Sequence, residues 1–330
     1  MSGAGEATST RPAYREVEAD LIVTGHELVA DGVCVLTLAD PDGADLPGWA
    51  AGAHVDLMLG PELVRQYSLC GSTADRSGWK VGVLLDPNSR GGSRFVHEEL
   101  REGSTLRVRG PRNAFPFVQA PRYQFIAGGI GITPLLTMIE AAEANRADWH
   151  LLYGGRERGS MAFLDELERH RDRVAVSPRD EREGRLDLGA VLGDPREDTL
   201  VYCCGPEGLL TAVEEACRTW PDGSLHVERF APKEVEAPAD ALDSFEVECQ
   251  RSGVTVTVGS ERSIYEVVEE AGVDVLGSCM EGTCGTCECD VIEGDPDHRD
   301  SVLSEAERER GDTIMICVSR SRSERLVLDL

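Results

Sequence analysis

The spacing of the last cysteines constrains this chain more than any other feature of its sequence. Cys279, Cys284 and Cys287 follow the pattern Cys-x4-Cys-x2-Cys, and Cys317 follows after 29 further residues. This spacing is typical of four thiolates that converge on a [2Fe–2S] cluster, three from one tight loop and one from a distant segment. Two glycines within the loop let backbone N–H groups point at the sulfurs, which stabilises the charge of such a cluster. We therefore predict that these four cysteines are metal ligands.

A zinc site is the alternative interpretation of the same cysteines. Zinc sites usually combine two closely spaced cysteines with two more, or with histidines. The spacing found here fits that pattern poorly. Cys289 lies two residues beyond Cys287 at the start of a predicted strand, and we expect it to pack in the core.

The segment 244–330 resembles plant-type ferredoxins. The resemblance rests on the cysteine loop, on Ser301-Val302-Leu303-Ser304-Glu305 and on Cys317-Val318-Ser319-Arg320. It implies an α+β fold of the β-grasp type. The segment has 20 acidic and 8 basic residues, so it carries −12 of the total charge of −27.

Composition and charge narrow the class of protein. With 330 residues, of which 41% are hydrophobic, the chain is long enough for two or three folded domains. No apolar run approaches the ~20 residues of a membrane span, and the N-terminus lacks the features of a signal peptide. We expect a cytoplasmic protein whose cysteines are not paired in disulfides. Its negative charge repels phosphates and anionic lipids, so we expect neither a nucleic acid nor a membrane as partner. The acidity serves either solubility or docking to a basic protein.

The pattern of predicted elements changes twice along the chain. Short β-prone runs from Ala19 to Arg109 favour an antiparallel barrel, and alternating strands and helices from Tyr123 to Phe230 favour a parallel doubly wound sheet. Among these elements are a helix at 163–170 and a strand at 225–230, and a further strand is predicted at 313–318. We predict five segments: a disordered tail at 1–15, a flavin-binding β-barrel at 16–120, a nucleotide-binding α/β domain at 121–230, a linker at 231–243 and a [2Fe–2S] domain at 244–330.

Two motifs in the first domain suit a flavin. Arg65-Gln66-Tyr67-Ser68-Leu69 combines a cation, an aromatic ring and a hydroxyl, which can stack on a flavin ring and bond its edge or phosphate. Gly91-Gly92-Ser93 comes directly before a predicted helix, where free N–H groups favour a phosphate. Taken alone, the first could be an ordinary strand and the second a plain helix cap.

Two motifs in the second domain suit a dinucleotide. Gly128-Gly129-Ile130-Gly131-Ile132-Thr133-Pro134 joins a strand to a helix, and its glycines let the backbone approach a pyrophosphate. It is not the common G-x-G-x-x-G fingerprint. Cys204-Gly205-Pro206-Glu207 ends a later strand at the start of a helix.

The order of these motifs resembles the ferredoxin–NADP reductase superfamily. Within that superfamily the chain is similar, over residues from about 15 to 330, to the phthalate dioxygenase reductase and vanillate demethylase reductase family. The resemblance implies the domain order flavin, nicotinamide, ferredoxin, and FMN rather than FAD as the flavin. It also implies that Cys204 lies beside the nicotinamide C4 and that Phe230 shields the flavin ring.

The resemblance implies the following site residues. Those expected at the flavin are Arg65, Gln66, Tyr67, Ser68, Gly82, Val83, Leu84, Gly91, Gly92, Ser93 and Phe230. Those expected at the nicotinamide nucleotide are Gly128, Gly129, Gly131, Thr133, Arg156, Cys204, Gly205, Pro206 and Phe230. Those expected to take part in catalysis are Ser68, Cys204 and Phe230. The alternatives are barrel core for 82–84, a small buried side chain for Cys204 and interdomain packing for Phe230.

Electron counting orders the three cofactors. NADH gives up two electrons as a hydride and a [2Fe–2S] cluster accepts one, so a flavin is needed between them. We predict the reductase component of a multicomponent oxygenase, with a Rieske non-haem iron enzyme or a cytochrome P450 as the separate terminal oxygenase. The alternatives are a free-standing diaphorase or ferric reductase and a non-enzymatic redox sensor. Arg156 and Arg158 could bind a 2′-phosphate, which would favour NADPH. Glu157 between them opposes a phosphate, and the resemblance implies a family that mostly uses NADH, so we expect NADH.

Overall fold

Three large sheets, with hydrophobic cores packed against them, make up the described part of the chain. The computed structural model describes residues 15–60, 63–87, 89, 91–181, 186–232 and 242–330. The predicted tail and most of the predicted linker lie outside these residues. Among the described residues, no helix combines the length and the apolar character needed to cross a membrane.

The first sheet has six antiparallel strands in the order β4-β3-β6-β1-β2-β5. Its elements are β1 (Val17–Ala30), β2 (Val33–Ala39), β3 (His54–Gly60), β4 (Leu63–Ser68), β5 (Trp79–Leu84), α1 (Gly92–Glu98) and β6 (Thr105–Arg112). The chain just beyond β4 meets β5 through a bridge between Leu69 and Val81. Alternate residues of the strands, such as Val55 and Leu57 of β3, are buried in one core, and Leu63 and Tyr67 of β4 are partly buried against it.

The second sheet has five parallel strands in the order β11-β10-β7-β8-β9. Its elements are β7 (Arg122–Gly128), α2 (Ile132–Ala144), β8 (Asp148–Gly155), α3 (Leu164–Leu167), β9 (Val174–Pro178), α4 (Gly189–Leu192), β10 (Thr199–Cys204), α5 (Glu207–Ala216) and β11 (Leu225–Glu228). Both faces are covered: Cys204 belongs to one core and Cys203 to the other. The strand order reverses between β7 and β10, and ligands of doubly wound sheets bind at the carboxyl ends of strands at such a point.

The third sheet is mixed, in the order β13-β12-β18-β14-β16, with only β12 and β18 parallel. Its elements, with a short ribbon formed by β15 and β17, are β12 (Ser244–Cys249), β13 (Val254–Gly259), α6 (Ile264–Glu270), β14 (Glu288–Glu293), β15 (Pro296–Asp297), α7 (Glu305–Arg310), β16 (Thr313–Met315), β17 (Arg320–Ser321) and β18 (Arg325–Leu328). Ser263 and Ser304 begin the two helices, each with a capping box.

Three predicted elements are shorter in the structure. The strand predicted at 313–318 ends at Met315, because the N–H groups of Val318 and Ser319 both bond to the Met315 carbonyl and turn the chain at Cys317. The strand predicted at 225–230 ends at Glu228, opposite the last residue of its neighbour β10. The helix predicted at 163–170 is one α-helical turn, α3, followed by a 3-10 turn at Glu168–His170.

Candidate electron-transfer site

The sulfurs of the four predicted ligand cysteines form one connected group. The pKa of the Cys279 thiol lies far below its ordinary value because the thiols of Cys284 and Cys317 donate hydrogen bonds to it. The pKa of Cys287 is lowered in the same way by Cys317. Among the described residues, no three or more His, Cys, Asp or Glu side chains are arranged around a point suited to a single ion. The sulfur contacts instead join the four cysteines in one row, from Cys284 to Cys279 to Cys317 to Cys287. All four can therefore bind one cluster with two irons.

The loop that carries three of these cysteines is shaped by two glycines. Gly282 (φ +68°) and Gly285 (φ +72°) both adopt left-handed backbone conformations, which glycine adopts without strain. The backbone N–H groups of Glu281 and Thr283 donate to Cys279 Sγ at 3.3 and 3.5 Å. These donors favour a thiolate, so the residues present fit a [2Fe–2S] cluster. Cys289 is buried in the core of the third sheet, as expected.

Arg65 connects the predicted flavin strand to the predicted phosphate loop. A Cβ added to Gly92 would lie 2.6 Å from Arg65 Cγ, so the arginine side chain packs directly on the start of α1. Gly91 (φ +97°) turns the chain into the helix, and Ser93 Oγ accepts a hydrogen bond from the Asp86 N–H at 3.1 Å. The cation and the glycines therefore lie together, as binding of a phosphate requires.

The residues predicted along the flavin on β5 have different surroundings. A Cβ on Gly82 would lie 2.8 Å from Thr133 Cγ2 and 3.4 Å from Phe163 Cζ, so β5 packs against α2 and the residue before α3 at this point. The Val83 side chain is buried in the core of the first sheet, and Leu84 is exposed. Burial raises the pKa of Tyr67 on β4.

The two predicted nicotinamide loops pack directly on each other. A Cβ on Gly131 would lie 2.2 Å from the Cys204 carbonyl oxygen, and a Cβ on Gly128 would lie 2.6 Å from Pro206 Cδ. Gly205 (φ +159°) completes this contact beside Gly128. Only glycine permits this approach, which explains why both motifs are glycine-rich.

Ser68, Cys204 and Glu228 converge at the edge between the first two sheets. Ser68 Oγ lies 3.5 Å and Cys204 Sγ 3.8 Å from Glu228 Oε2. Burial raises the pKa of Glu228 to about 8. Burial and the neighbouring Glu228 raise the pKa of the Cys204 thiol well above its ordinary value. The sequence analysis singled out the first two residues and missed Glu228, although its place at the end of a strand beside β10 was a usable signal.

The segment after β11 is fixed by a buried arginine. Arg229 donates to Glu207 Oε2 at 3.1 Å and to Glu214 Oε1 at 2.6 Å, both on α5. The next residue, Phe230, is 47% exposed at this edge. These ion pairs fix Arg229 against α5 and thereby the positions of its chain neighbours, Glu228 and Phe230.

The predicted adenosine site is at the end of β8. Arg156 is exposed there, and Arg158 makes a two-pronged ion pair with Glu181 at 2.7 and 2.8 Å. A cavity of about 500 Å³ lies between the first residues of β4 and the start of the cysteine loop. Its lining consists of Leu63, Val64, Arg65, Ser278, Cys279, Met280 and Glu281.

Comparison with known proteins identifies two of the three domains. The model of an oxidoreductase NAD-binding domain matches residues 125–215, and that of a 2Fe-2S iron-sulfur cluster binding domain matches residues 247–322. The second match favours an iron–sulfur cluster over zinc.

Whole-length relatives extend this result. The chain is 43% identical over 302 residues to phenoxybenzoate dioxygenase subunit beta of Ectopseudomonas oleovorans, covering 91% of this chain and 94% of that protein. Phthalate dioxygenase reductase, described as a modular structure for electron transfer from pyridine nucleotides to [2Fe-2S], superimposes with a TM-score of 0.68 at 36% identity, covering 95% of this chain and 98% of that one.

A fusion protein is also similar. An intact type IV self-sufficient cytochrome P450 monooxygenase superimposes with a TM-score of 0.88 at 46% identity over 95% of this chain, which spans only 41% of that longer protein. The predicted class of oxidoreductase and the predicted cofactors FMN, NADH and a [2Fe–2S] cluster are confirmed by these likenesses. The chain belongs to the phthalate dioxygenase reductase family of multidomain electron-transfer reductases, as its sequence predicts.

Proposed function

We propose that this chain passes electrons from NADH through FMN and a [2Fe–2S] cluster to a separate terminal oxygenase. One observation carries the proposal: strand β4 has the Ser68–Cys204–Glu228 group at its end and the cysteine loop beside its start. A flavin bound along β4 would therefore lie between the nicotinamide and the cluster. That order is the one that converts a two-electron donor into one-electron steps.

In this proposal the six-stranded sheet closes into the FMN-binding barrel. Arg65 and the backbone of 91–93 bind the phosphate, and Tyr67 and Ser68 contact the ring. Gln66 and the segment 82–84 complete the wall, with Val83 contributing backbone only because its side chain belongs to the core. Residues 16–120 form this domain.

The nicotinamide nucleotide binds in residues 121–230. Gly128, Gly129, Gly131 and Thr133 receive the pyrophosphate, and Gly129 suits this role because a Cβ there would meet no atom within 4 Å. Gly205 and Pro206 hold Cys204 beside the nicotinamide. Glu228 offers a carboxylate to the carboxamide, Phe230 covers the flavin face between turnovers, and Arg156 contacts the adenosine ribose.

The cluster is held by residues 244–330, a β-grasp domain. Cys279, Cys284, Cys287 and Cys317 together bind the two irons, and the contacts among their sulfurs support this set of ligands. Burial of the last three ligands, each at most 7% exposed, keeps water from the cluster.

The acceptor is a Rieske non-haem iron oxygenase or a cytochrome P450. The dioxygenase in one relative's name supports the first and the P450 fusion supports the second. Reconstitution with one purified oxygenase of each type tests the proposal. NADH-dependent product formation with one of them is the expected result. A chain that reduces ferric salts but no oxygenase of either type would instead be a free-standing reductase.

A further inference from the structure

A row of polar side chains crosses the outer face of the first sheet. Asp56 of β3 is in register with Gln66 of β4 on one side and with Arg109 of β6 on the other. The neighbours of Asp56 along the strand, Val55 and Leu57, point into the core. Strand alternation therefore directs Asp56 outwards, where a carboxylate is ordinarily hydrated. Its side chain is nevertheless 0% exposed.

The two residues directly before the cysteine loop, Gly277 and Ser278, lie over this carboxylate. Ser278 Oγ donates to Asp56 Oδ2 at 2.6 Å, and Gln66 Nε2 donates to Ser278 Oγ at 2.7 Å and to Asp56 Oδ1 at 3.0 Å. Arg109 Nη2 donates to the Gly277 carbonyl at 2.9 Å and to Asp56 Oδ2 at 3.0 Å. Every member of the row thus contacts Gly277 or Ser278, which directly precede the cysteine loop.

Neighbouring charges and hydrogen bonds keep the Asp56 carboxylate ionised. Burial opposes ionisation of Asp56, but the charge of Arg112 and hydrogen bonds from Arg112, Ser278 and Gln66 outweigh it, so the pKa of this carboxyl is lowered. Hydrogen bonds to an ionised acceptor are stronger than those between neutral groups. The row therefore binds the Gly277 carbonyl and the Ser278 hydroxyl through specific hydrogen bonds rather than through apolar packing.

We propose that Asp56, Gln66 and Arg109 form a docking row that holds the cysteine loop against strand β4 and so positions the cluster for electron transfer from the flavin. The contacts of the row lie next to a cluster ligand on one side and next to predicted flavin residues on the other. Ser278 precedes the ligand Cys279, and Gln66 lies between the flavin residues Arg65 and Tyr67. The step that depends on this docking moves one electron from reduced flavin to oxidised cluster, and no bond to the row forms or breaks. Ser278 is a positioning residue in this account.

The redox consequence rests on the proposed function, whereas the docking itself does not. Ser278→Ala removes the hydroxyl bonded to Asp56 and Gln66, and Ser278→Thr retains it. Ser263→Ala is the matched control, because it removes the hydroxyl that caps α6 in the same domain, away from the row. In stopped-flow reduction by NADH we expect an unchanged flavin phase and a cluster phase slowed about tenfold in Ser278→Ala only, since loss of one charge-assisted hydrogen bond shifts a docking equilibrium by that factor.

Backbone hydrogen exchange gives a readout independent of turnover. In Ser278→Ala, peptides covering 54–60 and 275–283 should exchange faster, while Ser278→Thr and Ser263→Ala should match the wild type there. The spectrum of the reduced cluster should stay unchanged, which shows that the ligands are intact. Unchanged exchange in both peptides, or a cluster phase as fast as in Ser263→Ala, would overturn the proposal. Absence of NADH-driven flavin reduction in the wild type would reject the proposed function instead, and hydrogen exchange would still decide the docking.

Discussion

At the scale of single residues, Glu228 is the acidic group at the proposed meeting point of nicotinamide and flavin. It is the only carboxylate among the three side chains that converge there, and its neighbours Ser68 and Cys204 carry weak donors. A hydride donor becomes a cation on oxidation, so an ionised carboxylate at this point favours the product. Burial disfavours that charge and raises the pKa of Glu228 to about 8, so the carboxyl keeps its proton at neutral pH and ionises only as the pH rises through 8.

This raised pKa predicts a pH dependence of stability. The folded protein holds the Glu228 proton more tightly than the unfolded chain, whose ordinary pKa is 4.5. The stability from this proton is complete below pH 4.5 and is lost as the pH rises through 8. Between pH 6 and pH 9 the wild type should lose up to about 3 kcal/mol relative to Glu228→Gln. Thermal unfolding midpoints of both proteins at the two pH values check this, and parallel pH profiles would contradict it.

At the scale of elements, loops after adjacent strands build the site. The loop after β7 and the loop after β10 touch through glycines, and the start of α1 touches β4 through Arg65. Each loop alone is a common turn, but together they form one edge that runs from the proposed phosphate site to the proposed nicotinamide site. The register of the parallel strands brings them there, with Cys204 opposite Ala127 on one side and Glu228 on the other.

The contact between these loops is sensitive to one methyl group. In Gly131→Ala the new Cβ would lie 2.2 Å from the Cys204 carbonyl oxygen, so one loop must move. We expect a higher KM for NADH in ferricyanide reduction and a loss of about 1–3 kcal/mol in stability. Gly208→Ala on α5 is the matched control, since its Cβ would meet no atom within 4 Å. Equal KM values in the two variants would show that the contact between the two glycine loops does not affect binding of NADH.

The short loop before α1 predicts which flavin is bound. Arg65 and the backbone of 91–93 offer a site for one phosphate group in the first half of β4. We therefore expect chromatography of the supernatant from denatured protein to yield FMN. Recovery of FAD would show that the phosphate assignment is wrong.

Motifs held within one loop were readable from sequence, and contacts between strands were not. The cysteine spacing and the glycine motifs lie in short segments whose chemistry is local. Asp56 and Glu228 acquire their environments from strands and loops distant in sequence: Asp56 is covered by Ser278, 222 residues later. A lone acidic residue in a strand gives no local sign of such a partner. The strand predicted at 313–318 was wrong beyond Met315 for a similar reason. The turn at Cys317 places this cysteine near the other three, and local strand propensity gives no sign of that.

At the scale of the whole molecule, charge is unevenly distributed. The segment 244–330 carries −12 of the total −27, and the cysteine loop that must face the acceptor belongs to it. Exposed charges steer association between proteins and are screened by salt, with a Debye length of about 8 Å at ~0.15 M. Glu288 is exposed and Glu281 is half-buried beside the cluster ligands.

This charge predicts that electron delivery weakens with salt. Stopped-flow rates of oxygenase reduction should fall across a salt series in the wild type and fall less steeply in Glu281→Gln, because one steering charge is removed. Reduction of the flavin by NADH serves as the internal control and should not change. A flat salt dependence in both proteins would mean that the acidity serves solubility alone.

The order of the cofactors is the central claim, and an anaerobic titration with NADH tests it most directly. Flavin takes two electrons and the cluster one, so the wild type should accept three electrons per chain, and Cys284→Ser, which lacks a cluster ligand, should accept two. In the wild type the flavin should be reduced before the cluster, and in the variant its reduction should proceed at the same rate. A wild-type cluster that stays oxidised in excess NADH, or one reduced in protein stripped of flavin, would contradict the account.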